Sequence, residues 1–570
     1  MKRNIKRILL SLLIIGTFML GSFTLAFAAE EPRYGGSLKV LNLIPYLNPI
    51  AWDNYDWNWK HAHDTGFYLE HLLAGDLQKG PKGTNEYAFQ SSAYIPPHIV
   101  RGELVESWEV QKDPLALVFH LRKGIYWQEK PGVMKAREFV ANDVVYSMTR
   151  LAGSPKAIPL YLEFIDRWEA KDKYTAVAYL KEWCGNWQYR FGWGYYDAIQ
   201  PPEMEKAGGR DWKNACGTGP YMITDYKSGH NQTYTKNPNY WDKTVIDGKQ
   251  YQLPFTDNVK YLIIKDESTR LAALRTGKAD MMMYVNWKYV KMLKKTCPDL
   301  KWRRYMNPVG SCLALRMDQK PFDDIRIRRA LNLAINQQEI IDAFYGGNAY
   351  IIGYPFPKVW SELHTPVDKL PESARELFTY NPEKAKKLLA EAGYPNGFTF
   401  KMQVSNSTQE GLDLAALIVA YLAKVGVKLE LEVMDYPSYL SKMTSKNHGP
   451  AYYLSSDYGN PFAIIRKNFL PKQTWNPYMF NDDYVTNTWK KAISDPNLSE
   501  EELKETFKKL NVYIIDQAPA IWTPVAYRYC AWWPWVKNYH GELRVGAYRP
   551  GPIFARIWID QELKKKMGFK

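Results

Sequence analysis

An α/β architecture divided over two or three domains is what this sequence predicts, and three observations lead there. The chain has 570 residues, and the roughly 540 that follow a leader-like N-terminus are too many for a single core. Apolar residues make up 46% and charged residues 24%, which is ordinary for a globular chain. Two stretches then read as strand, helix, strand. In one, a strand over Phe398 to Val404 precedes a helix that aligns Leu412, Ala415, Ala416, Val419, Leu422 and Val425, and Gly426 stops it. A second strand from Val427 to Val433 alternates Leu429, Leu431 and Val433 with Lys428, Glu430 and Glu432. Units of this length favour parallel pairing through a crossover helix. Val259 to Ile264, a helix around Leu271 to Leu274, and Ala279 to Val285 repeat the pattern.

The remaining elements carry local punctuation. Asn381 before Pro382 marks an N-cap with proline at the first helical position, and Gly393 ends that helix. Ser499 with Glu502 has capping-box spacing, and the helix it opens aligns Leu503, Phe507, Leu510 and Ile514. The helix after Asp324 aligns Ile327, Leu331, Ala334, Ile341 and Phe344. Stripes of this kind are core faces. Between residues 100 and 150 the texture changes. Leu117 to Leu121 and Ile125 to Trp127 flank Arg122-Lys123-Gly124 as a hairpin, and a helix starts near Asn142. This part reads as a smaller α+β segment inserted among α/β units.

The N-terminus bears on compartment. Lys2, Arg3, Lys6 and Arg7 precede an apolar run from Ile8 that closes on Ala26-Phe27-Ala28, the layout of a secretory signal removed after Ala28. An uncleaved anchor is the other reading that its length allows. No Cys stands at the cleavage point, so no lipid attachment is expected, and no later stretch is apolar enough to span a bilayer. A periplasmic protein, free of the membrane, is the expectation. The net charge is +15, with Lys and Arg scattered; this describes a solvated basic surface and gives no nucleic-acid signature. Five cysteines, Cys184, Cys216, Cys297, Cys312 and Cys530, leave at least one thiol unpaired in an exported chain. Cys297 and Cys312 are the closest pair, and a bridge there would add about 3 kcal/mol.

Enzyme signatures are missing: no GxSxG, HExxH, Walker loop or GxGxxG after a strand occurs. No cofactor and no catalytic residue is expected. His61, His63, Asp64 and His71 form the one histidine cluster of note. Imidazoles suit nickel or zinc, but the helix these residues resemble turns His61 and His63 to different sides, which favours surface or satisfied histidines over a metal site.

Five segments, taken together, carry a family resemblance. Tyr34-Gly35-Gly36-Ser37-Leu38 comes first, then Leu121-Arg122-Lys123-Gly124 with Ala141-Asn142-Asp143-Val144-Val145-Tyr146-Ser147. Gly217-Thr218-Gly219-Pro220-Tyr221 is followed by Asn237-Pro238-Asn239-Tyr240-Trp241. Pro321-Phe322-Asp323-Asp324 leads into a helix, and Tyr380-Asn381-Pro382 runs on to Ala392-Gly393-Tyr394. In this order they resemble the family 5 extracellular solute-binding proteins of ABC importers, the peptide- and nickel-binding group. The resemblance implies a two-lobed periplasmic-binding-protein fold of type II, large cluster C kind, with an extra α+β subdomain in the first lobe. Lobe I would comprise 29–308 plus 522–570, with the subdomain at about 66–211, and lobe II 309–521. Solute would be enclosed as the lobes close on their hinge and passed to a membrane permease, the binding protein acting as a monomer. Gly217, Gly219, Asp323 and Asp324 read as structural, the aspartates suiting a helix N-terminus.

The site residue singled out is Asp457, in Tyr452-Tyr453-Leu454-Ser455-Ser456-Asp457-Tyr458. It resembles the family aspartate that pairs with a peptide's α-ammonium, an interaction strengthened when both charges leave water. Gly459-Asn460-Pro461 follows where the family usually carries a second aspartate, which leaves open a loop aspartate that caps local backbone. Tyr458, Trp475 and Tyr354 from the second lobe, with Tyr46 and Trp52 from the first, complete the set. With 21 Trp and 41 Tyr in the chain, sugar stacking on aromatics is the alternative. The expectation is a short peptide, then an oligosaccharide, then a metal complex.

Overall fold

Two large sheets organise the chain; the backbone passes between their main strands twice, and one short strand, Ala349–Tyr350, reaches back from the second part to the first sheet. The computed structural model describes residues 31–42, 44, 52–56, 60–90, 94–155, 162–194, 197–307, 309–352, 355–457 and 460–569. The leader and its cleavage point lie outside these residues.

The first sheet runs Lys301–Met306, Val525–Trp532, Met281–Asn286, Ser37–Leu41, Asn258–Leu262, Asn231–Lys236, Tyr221–Lys227, with Ala349–Tyr350 added on Val525–Trp532. Ser37–Leu41 lies between Asn258–Leu262 and Met281–Asn286 and is parallel to both. The second strand-helix-strand unit therefore has the expected crossover, but its strands are not neighbours; the N-terminal strand fills the place between them. The second sheet has the order Lys428–Met434, Thr399–Ser405, Ala451–Asp457, Val309–Leu315, Ala520–Trp522. Here Thr399–Ser405 and Lys428–Met434 pair in parallel as read from sequence. The helix Gln409–Ala423 covers them, capped by Thr408 and burying Leu414, Ala415, Ile418 and Leu422. Val433 is 55% exposed, because its strand is the sheet edge and its outer end is uncovered.

Local signals hold where partners are close in sequence. The Asn381 side chain accepts from the Lys384 amide at 3.0 Å. Ser499 and Glu502 form both halves of a capping box, and Asp324 caps the helix Ile325–Leu333. Leu503, Phe507, Leu510 and Ile514 are buried. The stripe after Asp324 is divided, however: one helix ends at Leu333, and Asn336 caps a new short turn. Gly217 and Gly219 are structural as expected. A Cβ at Gly217 would come 1.8 Å from the Tyr68 carbonyl oxygen, so only glycine permits that approach.

Three expectations are corrected. The Leu117–Leu121 strand makes no hairpin with Ile125–Trp127. Instead Leu115–Leu121 sits inside an antiparallel sheet between Val105–Lys112 and Thr175–Leu180, with Ile165–Asp172 outermost. Trp127 leaves that sheet to bury its indole, which donates to Asp143 at 3.0 Å. The five cysteines are all buried free thiols. Cys297 ends the helix Trp287–Thr296 beside the first sheet, whereas Cys312 lies in the second sheet, 3.4 Å from the Tyr478 hydroxyl. The histidines are not at the surface, as the site geometry shows. Among the described residues no helix is long and apolar enough to cross a membrane.

Candidate functional site

The two passages between lobes lie side by side. Lys301–Met306 pairs with Val525–Trp532, Met306 opposite Tyr527, and Val309–Leu315 pairs with Ala520–Trp522, Cys312 opposite Trp522. Thr523 ties them, donating from its hydroxyl to the Ser311 carbonyl at 2.6 Å. Ala451–Asp457 ends at the same place, its Asp457 backbone opposite Val309. The candidate aspartate thus stands where the second sheet meets the lobe boundary.

Of the other named residues, Tyr46, Tyr354 and Tyr458 lie outside the described residues, as does the side chain of Asp457. Trp52 is buried, its ring edge-on to Tyr226 at 5.2 Å. Trp475 is half-buried in a pinned loop: the Lys446 ammonium donates to the carbonyls of Thr474 and Asn476 at 2.8 and 3.1 Å, and His448 contacts the Pro477 carbonyl at 2.8 Å. Burial, helped by Arg316, pulls the Lys446 ammonium down to about 8.

Contacts across the lobes flank this boundary. On one side Glu410, in the first turn of a second-lobe helix, accepts from Arg528 at 2.7 Å and from Asn286 at 3.1 Å, both on first-sheet strands. The Arg528 guanidinium lies 4.9 Å from the Tyr284 ring centre. Burial opposes its charge, but Tyr284 and Glu410 outweigh that and hold it protonated. On the other side the Gly185 amide donates to the Ile493 carbonyl at 2.7 Å, and Tyr94 meets Trp360 edge to face at 5.9 Å. Within the second lobe, close in sequence to Trp360, the Lys504 ammonium bridges Glu362 and Glu500 at 2.7 and 2.8 Å. Sequence reading missed this set entirely, because Glu410 and Arg528 are 118 positions apart and nothing local marks either.

Behind the boundary the first lobe buries a charged network. Arg549 forms two hydrogen bonds with Glu103 at 2.8 and 2.9 Å, both side chains sealed from solvent. Glu70 accepts from Tyr240 and Trp241 at 3.0 Å; burial and the neighbouring Glu103 push its carboxyl up to about 8. His61, His63 and His71 are buried alongside, where burial draws His61 down to about 4 and keeps His63 and His71 well below the usual imidazole range. Both ring nitrogens of His71 lack hydrogen-bond partners. They are neutral core imidazoles. Among the described residues, no three His, Cys, Asp or Glu side chains converge on a common metal position.

The boundary is thus crossed by paired strands and by the Glu410–Arg528 and Gly185–Ile493 contacts. The family model described as "Bacterial extracellular solute-binding proteins, family 5 Middle" matches residues 100–492. The chain is a family 5 bacterial extracellular solute-binding protein. Two relatives are similar to it over most of its length. Heme-binding protein A of Haemophilus influenzae is 29% identical over 451 residues, covering 74% of this chain and 78% of its own length. The dipeptide-binding protein of Escherichia coli K12 is 26% identical over 457 residues, covering 73% and 79%. The fold matches the ABC transporter-associated periplasmic binding protein DppA from Helicobacter pylori, solved in complex with peptide STSA, with a TM-score of 0.74 at 24% identity. That match covers 93% of this chain and all but 1% of the other. The two-lobed family 5 fold with its inserted subdomain is therefore this protein's fold.

Proposed function

We propose that this family 5 protein captures a short peptide between its lobes and delivers it to the permease of an ABC importer, without catalysing any reaction. The observation carrying the reading is the position of Asp457 at the end of the strand Ala451–Asp457, beside the passage between the sheets. A carboxylate there meets an incoming α-ammonium and loses water with it as the lobes close, which strengthens the pair. The relatives whose names specify peptides support the same class. Lobe I then comprises 29–308 and 522–570, with the subdomain at about 66–211, and lobe II 309–521; most strands divide accordingly, while Ala349–Tyr350 reaches over to Val525–Trp532 and Trp522 still pairs in the second sheet. In this reading Trp475, Tyr458 and Tyr354 would contribute from the second lobe. Tyr46 and Trp52 would contribute from the first lobe, Trp52 being buried against Tyr226. The protein acts as an exported monomer in the periplasm, with its leader removed after Ala28 and no lipid attached.

Thermal unfolding of ligand-stripped protein against peptide and oligosaccharide panels tests this. A true ligand at 100 times its dissociation constant stabilises by about 2.7 kcal/mol, and the shift is expected with peptides and lost in Asp457→Asn. A sugar shift indifferent to that substitution would place the site on the aromatics and overturn the peptide reading.

A further inference from the structure

The end of the first sheet remote from the lobe boundary carries a concentration of unpaired positive charge. Strand register defines that end: Met281 and Lys301 both lie opposite Trp532, while the other ends of the same strands lead to the hinge. Three helices finish there. The Trp533 indole donates to the Leu274 carbonyl at 2.8 Å, which fixes the end of Glu267–Arg275. Phe569, just beyond Gln561–Lys566, packs so tightly on Gly277 that a Cβ there would come within 2.3 Å of its ring. The Lys294 ammonium, in the last turn of Trp287–Thr296, lies 6.0 Å from the Trp302 ring centre.

These helix ends present Arg275, Lys278, Lys294, Lys295, Lys565 and Lys566 to solvent, with Lys301 beside them. The acids of the same region are mostly taken. Asp280 is buried on Lys564 at 2.8 Å, and Asp560 and Glu562 are held by Arg33 at 3.1 and 2.9 Å. Asp299 is the remaining exposed acid in these connections. Seven exposed cations against Asp299 and the one carboxylate that the single Arg33 leaves unbalanced between Asp560 and Glu562 is still a local imbalance far steeper than that of the whole chain, with 75 basic and 60 acidic residues.

The chain also enters the fold here. Gly36 lies against Gln561, and Arg33 against Asp560 and Glu562. We propose that this basic pole of the first lobe docks on an anionic phospholipid surface, leaving the lobe boundary at the opposite end of the sheet free for solute. The attraction is electrostatic, about fivefold in binding per cation near the surface, and fades beyond a Debye length of about 10 Å at 0.1 M salt.

Vesicle flotation tests it, with the exported protein and vesicles of phosphatidylglycerol mixed with phosphatidylcholine, against phosphatidylcholine alone. The wild type is expected to float with the anionic vesicles at low salt and to be released by high salt. The quadruple variant Lys294→Glu, Lys295→Glu, Lys565→Glu, Lys566→Glu is expected to lose binding by more than about a hundredfold. The control Lys424→Glu, Lys490→Glu, Lys491→Glu, Lys509→Glu changes net charge equally on exposed second-lobe positions and should bind within a few-fold of wild type. Should the pole variant melt early, the corresponding four Lys→Gln changes replace it. Equal loss in both sets would reduce the effect to net charge and overturn the proposal, as would wild-type binding by the pole variant or no preference for anionic vesicles.

Discussion

Removing the carboxylate of Glu410 penalises the closed form of this protein selectively. With the lobes together, Arg528 is 7% exposed at its side chain, and Glu410 is its carboxylate partner at 2.7 Å. Glu410→Ala leaves a buried guanidinium with Asn286 and the Tyr284 ring near it but no anion. Stripping one partner from a buried pair costs about 3–5 kcal/mol. Glu410 keeps 21% side-chain exposure, so the low end applies, about 3 kcal/mol. With the lobes apart, Arg528 recovers water and most of the penalty vanishes. The difference moves the open-closed equilibrium by up to about 150-fold, and apparent solute affinity falls as the competent fraction falls. Calorimetric titration with the best solute from the panels, with small-angle scattering of the same samples, reads both quantities. Arg528→Met with Glu410→Met should recover most of the affinity, since replacing a buried pair by apolar groups is close to neutral. Glu410→Ala with wild-type affinity, or a double variant as weak as the single one, would refute the reasoning.

Other outcomes follow from the buried groups. Glu70, raised to about 8 when folded, against an ordinary value of 4.5, contributes stability that is full below 4.5 and lost as pH rises through 8. Between pH 6.5 and 8.5 this loss is about 2 kcal/mol, and Glu70→Gln should remove that slope in urea melts; an unchanged slope would sink the assignment. His61, lowered to about 4, acts oppositely: its contribution is full above 6.5 and lost as pH falls toward 4. About 2 kcal/mol is gone by pH 5, read as the difference between wild type and His61→Gln. Cys216, Cys312 and Cys530 are pushed by burial up to about 12. A thiol reagent should find no reactive cysteine in the native protein and five after denaturation, whereas one or three would reveal a disulfide.

What the sequence made legible divides by range. The caps at Asn381, Ser499 and Asp324 and the parallel pair around residues 399–434 were readable because donor and acceptor, or strand and crossover, lie within one unit. The false hairpin after Leu121 failed for the converse reason. The strand's true partners are Val105–Lys112 and Thr175–Leu180, and the second arrives more than fifty residues later, where no turn chemistry announces it. The N-terminal strand between Asn258–Leu262 and Met281–Asn286 is equally silent in a local reading. Asp457 became a candidate only through its resemblance to a family motif. Glu410, Arg528 and the Gly185–Ile493 contact were not legible at all, being produced by lobe packing. The histidines were misplaced because helical alternation over five residues says nothing about what covers both faces of so short a helix.

The central claim is recognition of a peptide's free ammonium by Asp457, and titration calorimetry with one short peptide in free and N-acetylated forms tests it most directly. A charge-assisted hydrogen bond contributes about 1.5–3 kcal/mol, so acetylation should weaken binding at least about tenfold, and Asp457→Asn should bind both forms equally weakly. Equal, tight binding of the free and acetylated peptides by the wild type would contradict the account.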